Sequence, residues 1–223
     1  MILALNTAQT PRELALLEVG KDGLTLLTEH AWPDQRDDVE QLAPTLAAAL
    51  EKIGRSKSEL KKILVIGGPG SFTGLRVGVT FANVLATVLG CELFTLDTLE
   101  LLRQKAATVN PLIVLHQAGG LDVALQVHED GKSSPIQLGP SSTLLAPLPH
   151  NHYEVIASLT ETQSTELHSI ALEKNWKILP SEQWTSLGQA LLTHGLEAWQ
   201  KVDQVEAVYM KKPVITPSTR QLF

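Results

Sequence analysis

The order of predicted elements in this 223-residue sequence dictates an α/β protein built from two tandem units. Three observations carry that reading. A run of three strands followed by helix, strand, helix, strand, helix is complete by Val109, and Asn110-Pro111 then breaks the chain. The second half begins as the first began, with paired strands. The composition, 43% hydrophobic and 19% charged, belongs to a folded globule with a real core and excludes a disordered or fibrous chain. The length suits two small domains, 1–109 and 110–223.

Each element has a local reason. Ile2 to Leu5 reads as a short buried strand. Polar Asn6 to Pro11 turns it into Glu13 to Val19, and Gly20-Lys21-Asp22-Gly23 leads on to Leu24 to Ala31. After Trp32-Pro33 an acidic stretch opens a helix in which Val39, Leu42, Leu46, Ala49, Leu50 and Ile53 recur at helical spacing, with Gly54 at its end. Pro44 inside it implies a kink or a late start. Lys61 to Ile66 is a strand, Thr73 to Leu89 a helix stopped by Gly90, and Glu92 to Leu96 a strand. Asp97 or Thr98 then caps a helix to about Ala107. Leu112 to Leu115 and Asp122 to Val127 form a hairpin. Residues 133–152, rich in Pro and Ser, read as loop with one strand at most. Glu154 to Ser158 is a strand, Glu166 to Lys174 a helix, Trp176 to Leu179 a strand and Ser181 to Gln200 a helix. The last segment, with two prolines, wraps the surface. Three strands and then alternating helix and strand, in tandem, is the topology of the ribonuclease-H-like pair seen in actin, Hsp70 and sugar kinases.

Charge and cysteine usage exclude other classes. The net charge is −6, and no cluster of five or more basic residues occurs, so contact with nucleic acid is expected only through a shared assembly. Cys91 is the sole cysteine, which rules out an intrachain disulfide and cysteine-based zinc spacing. The first residues lack the basic and apolar regions of a signal peptide, and no uninterrupted apolar run approaches the ~20 residues of a membrane span. A cytoplasmic protein with no membrane contact is the expectation.

The stretch Gly67-Gly68-Pro69-Gly70-Ser71-Phe72-Thr73-Gly74-Leu75-Arg76 lies between a strand and a helix, where phosphate loops sit. It fails the Walker spacing from every glycine. Gly68, Gly70 and Gly74 give GxGxxxG where a dinucleotide fingerprint needs GxGxxG. Arg76 and the free amides of the first turn could hold an anion, as any helix start could. The helix itself says more. Its polar residues Arg76, Thr80, Asn83 and Thr87 form one narrow stripe, so more than one face must be covered. Gly74, Gly78, Ala82 and Ala86 recur every four residues, a small-residue line that admits a close helical neighbour. That neighbour is either the helix carrying Leu42, Leu46 and Leu50 or, with it, a partner chain.

Ile2-Leu3-Ala4-Leu5-Asn6-Thr7-Ala8, Leu42-Ala43-Pro44 and above all Gly68 to Gly78 resemble the TsaB family, and Glu206-Ala207-Val208-Tyr209-Met210 is similar to that family's C-terminal signature. The resemblance runs over residues 1–100 and is thin beyond. A proline in the first helix is usual there. The resemblance implies the tandem actin-type fold and a chain with no catalysis and no cofactor of its own. Its partners would be a TsaD-like catalytic subunit and a TsaE-like ATPase, which together modify tRNA with threonylcarbamoyl, or a second copy of itself when alone. It leaves room for a nucleotide at the assembled interface and gives contact with tRNA only through the complex. Carried over, the partner surface comprises Leu42, Leu46, Leu50, Gly74, Gly78, Ala82, Leu85 and Ala86, next to the motif loop Gly68, Pro69, Gly70, Ser71, Phe72, Thr73, Gly74 and Arg76. Gly78→Leu is then expected to abolish partner binding with the fold intact.

The chain departs from the family pattern at Asn6, at Asp38-Val39 and at His116-Gln117-Ala118. These losses weaken any residual site more than the interface. An actin-type phosphotransferase needs carboxylates at the ends of the first strand of each half, where this chain has Asn6 and His116. The catalytic partner's family carries a His-x-x-x-His pair, which is absent from this sequence. His150-Asn151-His152 reads as a surface turn, and His30, His128, His168 and His194 are isolated. A homodimeric interaction protein unrelated to tRNA would show the same sticky helix face.

Overall fold

β1 (Ile2–Asn6), β2 (Arg12–Gly20) and β3 (Gly23–Trp32) form an antiparallel meander in a computed structural model that describes residues 1–21, 23–33, 38–150 and 152–210. Every residue of β1 is buried, as its unbroken apolar run requires of a strand covered on both faces. Then come α1 (Asp38–Lys52), β4 (Lys62–Gly68), α2 (Phe72–Leu89), β5 (Glu92–Asp97) and α3 (Thr98–Lys105). β4 lies parallel to β1, and β5 parallel to β4. Pro44 sits inside α1 with its ring exposed.

The second half repeats the plan. β6 (Leu112–Gln117) pairs with β7 (Asp122–Glu129), and short β8 (Lys132–Ser133) and β9 (Gln137–Pro140) pair with β7 in turn. After α4 (Ser141–Leu145), β10 (Glu154–Ser158) runs parallel to β6. α5 (Glu161–Lys174) crosses over to β11 (Lys177–Ile178), which is parallel to β10. α5 starts one turn earlier than helical spacing predicts, because Thr160 and Gln163 close a capping box. The Pro/Ser-rich stretch contains β9 and the short α4, both below the length at which periodicity is readable.

The C-terminal part departs most from expectation. The helix predicted over 181–200 is only α6 (Leu187–His194), and β12 (Gln200–Val202) comes after it. β12 pairs with β5, so the first sheet runs β12-β5-β4-β1-β2-β3 and the second β11-β10-β6-β7-β8 with β9 on β7. α6 packs on β2 and β3, with Leu187, Leu191 and Trp199 in the core of the first sheet. A division at 109/110 therefore assigns to the second half residues that complete the first.

The side chains of β1 alternate between two cores. Leu3 and Leu5 meet α1 and α2, whereas Ile2 and Ala4 meet Leu101, α6 and Trp199. α3 is shared: Leu101 faces the first sheet, while Leu99 and Leu102 pack with Val114, Ala124 and Ile156 of the second. The arm beyond β12 lies along α2. Asn83 donates from Nδ2 to the Val205 carbonyl and accepts the Val205 N–H, both at 2.9 Å, and Val208 N–H donates to the Gly67 carbonyl at 2.8 Å. The surface-wrapping stretch expected after Met210 lies outside the described residues.

Candidate functional site

The strand ends come first, since phosphoryl chemistry on this fold would sit there. β1 ends on fully buried Asn6, whose Nδ2 donates to Glu13 Oε2 at 2.8 Å. Glu13 Oε2 also accepts from Lys105 Nζ at 2.5 Å, and Oε1 accepts the Leu187 N–H at 3.0 Å. With side chains 7% and 6% exposed, Glu13 and Lys105 form a buried ion pair that fastens β2 to α3 and α6. Arg12, equally buried, donates to the carbonyls of Thr7 and Gln9. β6 ends at buried His116, whose Nδ1 lies 2.7 Å from the Gln117 carbonyl and, facing an acceptor, carries the proton. Burial holds this imidazole below its ordinary 6.5, against the opposing pull of that carbonyl, so the ring is neutral. The cleft between the strand ends, about 330 Å³, is lined by Gln9, Arg12, Ser71, Gln117, Ser158 and Trp184 among others, with no carboxylate among the described residues. The ion pair and its hydrogen bonds fasten β2 to α3 and α6 at this end of the sheet.

The glycine-rich loop is filled by the chain itself. Ser71 caps α2, its Oγ accepting the Gly74 N–H at 3.3 Å. A Cβ on Gly70 would collide with the Ala8 carbonyl oxygen, one on Gly74 with that of Thr7, and one on Gly78 with Thr7 Oγ1. The glycines seat α2 on the turn that follows β1, close against Thr7, Ala8 and Arg12.

Most residues of the expected partner surface are turned inward within the chain. Gly74, Gly78, Ala82 and Ala86 face inward, and Leu42, Leu46 and Leu50 are at most 7% exposed in the same core, with Leu85 half-buried against it. At Gly74 and Gly78 the small-residue line is occupied by Thr7, in the turn after β1. A position shifted by two residues lies on the opposite side of a helix, and there Phe72, Arg76, Thr80, Val84 and Val88 form the outer ridge, all exposed. Phe72, Arg76, Thr80 and Val84 of this ridge, with Leu42, Thr73, Val77 and Phe81, border an apolar groove of about 570 Å³ between α1 and α2. Val84 and Val88 are 56% and 74% exposed. Their four-residue recurrence is readable in the sequence, but the glycine line points to the opposite face. α2 is by length and composition apolar enough to cross a membrane. In this fold, one face of it meets β4 and β5 and the other forms the groove.

The remaining motif residues divide between loop and ridge. Gly68 and Pro69 are buried and Thr73 is exposed. The Phe72 ring packs on Tyr209 with centroids 5.0 Å apart, and the Arg76 guanidinium lies 5.3 Å from the Phe72 centroid. His150 is exposed, Asn151 lies outside the described residues, and His152 Nε2 is 2.7 Å from Glu129 Oε1. Among the described residues, no group of three or more His, Cys, Asp or Glu could hold a metal.

The model of a family described as TsaD, tRNA N6-adenosine threonylcarbamoyltransferase, matches residues 33–137. The Bacillus subtilis tRNA threonylcarbamoyladenosine biosynthesis protein TsaB is 30% identical over 112 residues, 50% of this chain and 47% of that protein. An uncharacterized protein of Mycobacterium tuberculosis is 34% identical over 99 residues, 44% of this chain and 46% of its own length. The chain thus spans about half the length of the curated relatives it matches. YeaZ from Pseudomonas aeruginosa has the same fold, with a TM-score of 0.57 at 19% identity over 85% of this chain and 96% of that one. Residues 33–137 contain the glycine loop and the two groove helices, and it is over this part that the chain is similar to the TsaB and TsaD proteins.

Proposed function

We propose that this chain is a non-catalytic accessory subunit in tRNA threonylcarbamoyladenosine biosynthesis, docking the threonylcarbamoyltransferase subunit in the groove between α1 and α2. One observation carries the reading. The groove is the apolar, unfinished face of a helix whose other face is fully packed, in a chain whose strand ends hold Asn6 and His116 where phosphoryl chemistry needs carboxylates. The curated relatives' names supply the pathway. In this reading the chain has no cofactor of its own, and any nucleotide sits at the assembled interface. A TsaE-like ATPase joins the complex, tRNA is met only through it, and the work is done in the cytoplasm. A second copy takes the groove when the partner is missing.

Co-expression with the organism's own transferase subunit tests this. A stable complex should elute, and tRNA nucleosides from a deletion strain should lose threonylcarbamoyladenosine by mass spectrometry. Failure to form a complex, with the modification surviving deletion, overturns the reading.

A further inference from the structure

We propose that Arg76 selects the occupant of the groove: a helix with an apolar ridge that carries one carboxylate opposite the guanidinium. This rests on the docking function above and adds the chemistry of the partner.

Arg76 is the one charged side chain among the described residues lining a groove otherwise made of Leu42, Phe72, Val77, Phe81, Val84 and two threonines. It is exposed and forms no ion pair among the described residues, in a chain whose net charge is −6. It lies over the Phe72 ring, which is itself held by Tyr209. The column Tyr209, Phe72, Arg76 holds the guanidinium plane at the groove's edge and lowers the entropy lost when a ligand engages its fork.

An apolar helix laid in the groove would strip water from the guanidinium and leave the charge uncompensated, which is costly. A carboxylate at that point supplies bidentate hydrogen bonds and opposite charge together. Among the described groove residues a second copy supplies no such carboxylate. In a two-fold pairing the same patch meets itself, and the groove brings arginine and no described acid. Self-association is therefore the weaker use of this face and yields to the acidic partner.

The test uses the full-length chain and the purified transferase subunit of the same organism, with affinity measured at low and high salt. Arg76→Met should weaken binding about tenfold or more and flatten its salt dependence. Arg76→Lys should recover part of the loss, because charge returns without the planar fork. Val84→Asp, at an exposed groove position, reports on the groove itself. If Val84→Asp abolishes binding while Arg76→Met binds as the parent does, the selection by Arg76 is wrong and the docking function stands. If Val84→Asp binds as the parent does, the docking function falls and the proposal with it. A parent chain that dimerises through Val84 more tightly than it binds the transferase makes a second copy the occupant and overturns the proposal.

Discussion

α2 and α5 hold the same place in the two halves, each crossing between two parallel strands, and they are finished differently. Both bury a line of residues four apart: Gly74, Gly78, Ala82 and Ala86 in α2, Gln163, Leu167 and Ala171 in α5. The outer side of α5 carries Glu161, Thr162, Thr165, His168, Ser169 and Glu173, with Leu172 as a lone exposed apolar residue. The outer side of α2 carries Phe72, Val84 and Val88 beside a groove. One crossover helix has a polar outer side; the other leaves apolar residues exposed beside a groove, the face that the proposed docking function would use.

The largest effect that could break this comparison is at Gly78. Gly78→Leu should cost about 4 kcal/mol or leave the chain unfolded in urea titrations, because the new side chain meets Thr7. A variant as stable as the parent would return the small-residue line to the surface. This reverses the expectation that Gly78→Leu spares the fold.

Lys105→Met should cost about 3 kcal/mol by the same measurement, since it strands buried Glu13 where β2, α3 and α6 meet. His116 tests the corresponding strand end of the other half through pH. Its folded-state affinity for protons lies below the ordinary 6.5 because of burial, so the unfolded chain binds the proton first as pH falls. Stability should be fully present above 6.5 and decline below it, and His116→Asn should make that decline shallower. An unchanged slope in denaturation at pH 7 and below 6 would show that the ring is not held neutral.

The smallest effects on stability sharpen the comparison most. Val84→Ser and Leu172→Ser should each stay within about 0.5 kcal/mol of the parent. Only the first should weaken binding of the transferase subunit. Equal loss from both would remove the distinction between the two helices.

Element order makes the fold legible because hydrophobic periodicity is local, as in Ile2 to Leu5 and Thr73 to Leu89. The site is half legible. The sequence identifies the helix pair, but the line of small residues it marks is buried within the chain, because such a line reads alike whether its neighbour is in the same chain or another. What decides is Thr7, a residue far away in sequence that fills the space over Gly74 and Gly78. Tyr209, which backs Phe72, lies in a segment that the sequence marks only as a signature. α6 and β12 are not legible as parts of the first sheet, since a three-residue strand leaves no period to read and its pairing with β5 is a tertiary event.

That pairing also sets an order of events during synthesis. The edge of β5 and the α6-facing side of β2 and β3 stay open until residues 187–202 have been made. The amino-terminal half leaves the ribosome first and is finished last, so it meets the cell's chaperones with a bare strand edge for as long as the rest of the chain takes to be translated.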